Sequence, residues 1–197
     1  MINNTQDIDR TITTKFIEPL EKSCKNSVKR LKTAKVKHIE SIRLINQAYK
    51  TIKNSEKNLN KYNFVDSYTL LRASLEYIVM SYMIEVEEKT YNEFLILSNN
   101  DIQLKRKFTV PNTLLKKFGK RLNKISNNLF TDTTVKQREK IMVDLYDILC
   151  KYTHASIVVS TFNEIEDKNE RKVVKLILSY NLYLIKLILL DCLKFFN

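Results

Sequence analysis

A single glycine, Gly119, and two prolines, Pro19 and Pro111, are all that this 197-residue chain holds of the residues that make tight turns. Positive φ angles and preset turns fall mostly to Gly and Pro, so sandwiches and small barrels draw on both heavily. A chain this poor in them is written for long helices joined by short polar loops. The same scarcity rules out G-x-G-x-x-G and G-x-x-x-x-G-K-[ST], which cannot be spelled with one glycine. Nucleotide-dependent kinases, P-loop ATPases and dinucleotide oxidoreductases are argued against on that ground. The length suffices for one well-buried core, or a core plus an extended arm. The sequence therefore predicts an all-α protein. It would be an antiparallel bundle of about five helices with a long basic N-terminal helix. Residues 14–197 would form one domain, and residues 1–13 a polar, frayed terminus.

Helical periodicity places the elements. Ile17, Leu20, Cys24, Val28 and Leu31 recur at three- and four-residue steps, and Ile39, Ile42, Ile45, Tyr49 and Ile52 continue the pattern. Residues 16–53 thus read as one long helix or two collinear pieces, with Lys22, Lys25, Lys29, Lys32 and Lys35 on the other faces. Asn63 is the expected N-cap of a helix over 64–97, with Asp66 near its positive end. Pro111 and Asn112 open another helix to about Leu129, in which Gly119 is a weak point. "TDTT" (131–134) restarts the chain into a helix that carries Tyr146 and His154. The final segment, 173–196, is strongly apolar, yet Lys175, Asn181, Lys186 and Asp191 interrupt it, and its longest charge-free stretch is 176–185. A spanning helix needs roughly 20 consecutive apolar residues, so this segment reads as the central stave of the bundle and no membrane partner is expected.

Three scattered cysteines, Cys24, Cys150 and Cys192, and two histidines fit no zinc spacing. No metal or cofactor is expected. The polar start "MINNTQDIDR" lacks a secretory core, and free thiols suit a reduced, cytoplasmic setting. The net charge of +12 is uneven, since residues 15–53 carry 11 Lys/Arg against 3 acids and residues 101–140 again carry 11 against 3. Two basic segments around a mildly acidic centre fit a polyanion, although AT-rich coding bias also enriches Lys, Asn and Ile.

Chemistry is carried by two stretches. In "LLRASLE", Arg72 and Glu76 are four apart, share a helix face and can pair. Projection sets them beside the apolar stripe of Leu71, Leu75, Ile78 and Tyr82, at the edge of the core, where a charge must be paired or used. In "DILCKYTHAS", His154 lies on the margin of a stripe formed by Val143, Tyr146, Cys150 and Ile157. A packed core histidine is the simplest reading of His154. A Cys150–His154 nucleophile is another, although two residues at helical spacing often coincide.

"DSYTLLRASLEYIVMSYMI" followed by "LYDILCKYTHASIVVS" resembles the HEPN-like helical domains of bacterial defence and toxin systems, over about residues 62–160. Several branches pair an R-x-x-x-E helix with a Tyr-rich helix ending in histidine. The resemblance implies RNA-directed function, a homodimer, and a protein partner such as an antitoxin or another defence component. Catalytic members are metal-independent ribonucleases with an arginine four to six residues before the histidine. Here positions 147 to 149 are Asp147, Ile148 and Leu149. Either the site is degenerate or Arg72 supplies the cation in space.

Three functions follow as expectations. The first is nucleic-acid or partner binding, with Lys151, Tyr152, Lys105, Arg106, Lys107, Lys116, Lys117, Lys120 and Arg121 near the substrate. The second is a metal-independent endoribonuclease in which His154 is the acid or base, Arg72 stabilises phosphate and Glu76 holds Arg72. The third is a non-catalytic dimeric scaffold built through residues 16–53.

Overall fold

The computed structural model describes residues 18–99, 110–122, 133–153, 165 and 167–197. These form seven α-helices and one 3-10 turn, with no strand among them. In chain order they are α1 (Glu18–Arg30), α2 (Ile39–Asn60), α3 (Phe64–Val86), α4 (Glu88–Asn99), α5 (Asn112–Arg121), α6 (Val135–Thr153) and α7 (Lys168–Phe196). The all-helical bundle is as the turn-poor composition requires.

α2 and α3 make an antiparallel hairpin whose contact line is written in small residues. Ser41, Ala48 and Ser55 of α2 and Ser67, Ser74 and Ser81 of α3 are each spaced by seven and all fully buried. The Ser55 and Ser67 hydroxyls lie 2.7 Å apart, and each also donates to the other residue's carbonyl. At the far end the Ser81 hydroxyl donates to the Ser41 carbonyl at 2.9 Å. Small side chains let the two backbones approach, and the hydroxyls find partners in a place where an unpaired one would be costly. Tyr62, with φ of 61°, closes the turn between the helices.

The start of α2 is capped from a distance. His38 at its N-cap position makes no side-chain cap. Instead the Glu85 carboxylate, from the end of α3, accepts from the backbone N–H of Lys37 at 2.6 Å and of His38 at 3.2 Å. It also accepts from the Ser41 hydroxyl at 2.9 Å. A carboxylate at a helix N-terminus satisfies orphan donors and meets the positive end of the dipole, which explains how Glu85 can be buried.

α3 is the centre of the molecule, packing on α2, α4, α5, α6 and α7. Leu71, Leu75, Ile78, Val79, Met83 and Ile84 are all fully buried, and burial on this scale contributes roughly 1.5–3 kcal/mol per large side chain. α6 lies antiparallel on α3, and α7 returns parallel to α3, with Tyr82 against Phe195 at a ring-centroid distance of 4.8 Å. The chain's one glycine sits where α5 meets α6. A Cβ at Gly119 would fall 3.0 Å from the Arg138 carbonyl oxygen and from the Glu139 Cα. Close approach, not a turn, is the reason for glycine here, and α5 runs through it unbroken.

Several expected boundaries differ. Residues 16–53 are not one helix, because α1 ends at Arg30 and a 3-10 turn and an extended link precede α2. Nor are the pieces collinear, since Tyr49 and Lys53 of α2 reach back to Glu21 of α1. The helix expected over 64–97 breaks at Glu87, where the backbone is extended and the carboxylate accepts from Thr90, Lys117 and Arg121. The helix after "TDTT" starts with a reciprocal capping box, in which the Thr134 N–H donates to the Gln137 side chain and the Gln137 N–H to the Thr134 hydroxyl. The central stave is α3 and not the last helix. α7 is long and apolar enough to cross a membrane by length and composition alone, but half of its most apolar window is buried inside the protein. The expectations for residues 1–13, and for the helix beyond Leu122, lie outside the described residues.

Candidate functional site

Antiparallel packing of α3 on α6 brings the R-x-x-x-E motif against the Tyr-rich helix. Four-residue spacing puts Arg72 above Glu76, and Arg72 Nε donates to Glu76 Oε1 at 3.2 Å. The hydroxyl of Tyr146, one of the buried residues of α6, donates to the same oxygen at 2.7 Å. The Arg72 guanidinium lies 5.7 Å from the centroid of the Tyr146 ring, within cation–π range. Its Nη1 donates to Thr153 Oγ1 at 3.3 Å, and that hydroxyl donates to the Cys150 carbonyl at 3.1 Å. One turn before Arg72, Tyr68 stacks on Tyr152 with centroids 4.5 Å apart, a second contact between the same two helices.

The side chains of Arg72 and Glu76 are 16% and 13% exposed, so the pair stands at the rim of the core and not on an open face. Burial pushes the Glu76 carboxyl up from its ordinary range, while the Tyr146 hydrogen bond and the Arg72 charge hold it down. Burial is the leading cause for Tyr146 too, whose phenol is pushed up, with its bond to Glu76 adding to the effect. The Cys150 thiol is also pushed up, first by burial, which makes it a poor nucleophile. The cluster holds one cation against one anion, and a phosphate approaching Arg72 competes with Glu76 for it.

The other predicted contacts are placed as follows. His154, Lys105, Arg106 and Lys107 lie outside the described residues. Thr153, which receives the Arg72 bond, immediately precedes His154 in the chain. Lys151 is exposed on α6 and Tyr152 is half-buried against Tyr68. On α5, Lys116 is exposed, while Lys117 and Arg121 pair with Glu87 at 3.2 and 3.1 Å and Lys120 pairs with Glu139 at 3.6 Å. Part of the positive charge on α5 is thus neutralised by neighbouring acids.

The first basic segment is different. From Lys22 to Lys37 the chain carries Lys22, Lys25, Lys29, Arg30, Lys32, Lys35 and Lys37 with no acid between them, and all seven are exposed. The two acids of α1 do not offset this strip evenly. Glu21 turns inward, and only Glu18 faces solvent.

Glu21 leads to a second charged cluster that periodicity did not reveal. Lys186, 1% exposed, pairs with Glu21 at 2.8 Å and with Glu56 at closer range. Lys53 bridges the same two carboxylates at 3.1 and 2.6 Å, and the Tyr49 hydroxyl donates to Glu21 at 2.9 Å. Burial raises the Glu21 carboxyl, but the Lys186, Tyr49 and Lys53 partners outweigh it and hold the group below its ordinary value. Cys24 donates to the Lys186 carbonyl, and burial pushes its thiol up to about 12. The only signal in the sequence was a lysine inside an apolar helix. Among the described residues no group of three or more His, Cys, Asp or Glu is placed to hold a metal ion. No family model, no curated protein and no solved structure matches this chain.

Proposed function

We propose that this chain is a HEPN-like helical protein that binds RNA through its basic surface, in a bacterial defence or toxin–antitoxin setting in the cytoplasm. The supporting observation is the strip from Lys22 to Lys37, which presents seven cations to solvent without an intervening acid. Such a strip neutralises successive phosphates and releases their counterions, which favours binding at low salt. The pairs of Glu21 with Lys186 and Lys53 hold α1 on α7 and α2, so that the surface is carried on a packed scaffold. Titrating single-stranded RNA against salt tests this reading. Changing Lys22, Lys25, Lys29 and Lys32 to Gln should weaken binding and reduce the log–log salt slope by about three units, at roughly 0.7 per phosphate for single strands. An unchanged slope sinks the assignment of the strip. A flat salt profile in the parent protein points instead to a protein partner, such as an antitoxin, or to a dimeric scaffold.

A second reading, the metal-independent endoribonuclease, is favoured by the bond from Arg72 Nη1 to Thr153 Oγ1, next to His154 in sequence. In that reading Arg72 steadies the phosphate, His154 moves the proton and Glu76 holds Arg72. It requires RNA cleavage that survives EDTA and is lost in a folded His154→Ala variant. Full cleavage by that variant excludes it.

A further inference from the structure

α3, α5 and α7 meet around a cavity of about 30 Å³, lined among others by Tyr82 of α3, Phe118 and Arg121 of α5, and Asp191 and Phe195 of α7. Asp191 is 3% exposed, and neither of its carboxylate oxygens has a hydrogen-bond partner among the described residues. Burial raises its carboxyl to about 6, so the group is charged at neutral pH. Lys194, exposed one turn further along α7, acts on it through charge alone. Arg121 borders the same space, but its Nη2 donates to Glu87 Oε1 at 3.1 Å. A buried carboxylate with no bonded partner is costly, and a cation entering the cavity would complete it.

Much of the remaining wall is aromatic. The Tyr82 ring stands at 79° to that of Phe118, with centroids 5.4 Å apart, and at 62° to that of Phe195, with centroids 4.8 Å apart. Aromatic rings attract a cation, and a carboxylate beside them supplies the opposite charge. A calcium or magnesium ion is a poor match, because each gathers about six oxygen ligands and this lining has one carboxylate. Size narrows the choice further. The volume admits about two water-sized groups, too few for a quaternary ammonium with its shell of methyl groups but enough for a primary ammonium and the methylene behind it. Arg121 and Phe195 are both exposed, so the rest of such a molecule has a way out to solvent.

We propose that this cavity binds the ammonium end of a small, free primary amine. The Asp191 carboxylate accepts from the ammonium, and the rings of Tyr82, Phe118 and Phe195 enclose it and the first methylene. A neutral molecule of the same size, such as an alcohol, fills the space but leaves the buried charge uncompensated. The site lies apart from the Arg72–Glu76 pair, and its occupation is independent of RNA binding by the Lys22–Lys37 strip.

Proton–nitrogen NMR spectra of the full chain, titrated with ethylammonium chloride at neutral pH and constant ionic strength, test it. The expected result is saturable shifts at Tyr82, Phe118 and Asp191, with a dissociation constant in the millimolar range that suits so few heavy atoms. Asp191→Asn keeps the size of the side chain and removes its charge, and it should weaken binding about tenfold or more while the spectrum reports a folded chain. Phe195→Leu, at an exposed position, should weaken binding about threefold by taking one ring from the wall. Ethanol should produce no such shifts. Absence of saturable shifts with ethylammonium overturns the proposal. So does equal binding by Asp191→Asn, or an equal response to ethanol, since either makes the charge irrelevant. Binding of N-acetyl-lysine methylamide about tenfold tighter than ethylammonium also overturns it, in favour of a lysine side chain on a partner protein.

Discussion

Asp191 is 3% exposed, and neither carboxylate oxygen has a hydrogen-bond partner among the described residues. It lines a cavity of about 30 Å³ with Tyr82, Phe118, Arg121, Leu122, Cys192 and Phe195. Burial raises its carboxyl from 3.8 to about 6, with Lys194 pulling modestly the other way. The folded chain therefore holds the proton more tightly than the unfolded chain does. Stability linked to this group is greatest below the unfolded value, falls as pH rises through about 6 and stays low above it. Asp191→Asn should stabilise the protein by roughly 1–3 kcal/mol in mildly alkaline solution, and the gain should vanish in acid. Urea titrations at several pH values would measure it, and a gain independent of pH would refute the account. At this scale the sequence was partly legible. Arg72 and Glu76 could be paired from their spacing, because helix geometry fixes neighbours four apart. Tyr146 and Thr153 as their partners could not be read, because that depends on which helices meet.

At the scale of the element, the seam between α2 and α3 was invisible to a search for apolar periodicity. Such a search follows large side chains, and this contact is written in Ser and Ala at seven-residue spacing. The same search was only partly right about α6: of the expected stripe Tyr146 is buried, Val143 and Cys150 are partly buried against the core and Ile157 lies outside the described residues, while the other buried apolar residues are Met142, Leu145 and Leu149. α6 is packed on α3 from one direction and on α5 from another, so its buried arc is wider and rotated. The seam makes a sharp prediction. Ala48→Leu inserts three heavy atoms between two backbones and should destabilise the chain by roughly 1–3 kcal/mol, whereas Gln47→Leu, on the exposed side of the same turn, should change stability little. Chemical denaturation of the two variants compares them directly, and equal midpoints would show that the helices do not approach closely there.

For the whole molecule, scarcity of Gly and Pro was enough to fix the fold class, since it concerns every connection at once. The number of helices was not readable, because breaks such as Glu87 arise from partners distant in sequence. Lys186 shows the same limit. Its interruption of an apolar run was plain, but its carboxylate partners come from α1 and α2. Lys186→Ala leaves Glu21 and Glu56 facing each other with only Lys53 between them, and should destabilise the fold by roughly 3–5 kcal/mol. Lys186→Met combined with Glu21→Gln and Glu56→Gln should recover most of the loss, since an apolar group of similar size no longer faces unpaired charge. Thermal unfolding of the single and triple variants decides this, and failure of the triple variant to recover would assign the loss to packing. A practical boundary follows for anyone trimming the protein. Cutting just ahead of Glu18 keeps both carboxylates around this ammonium, whereas cutting after Glu21 leaves it Glu56 alone and strips away the helix packed over it, so a stable fragment should retain the first described helix.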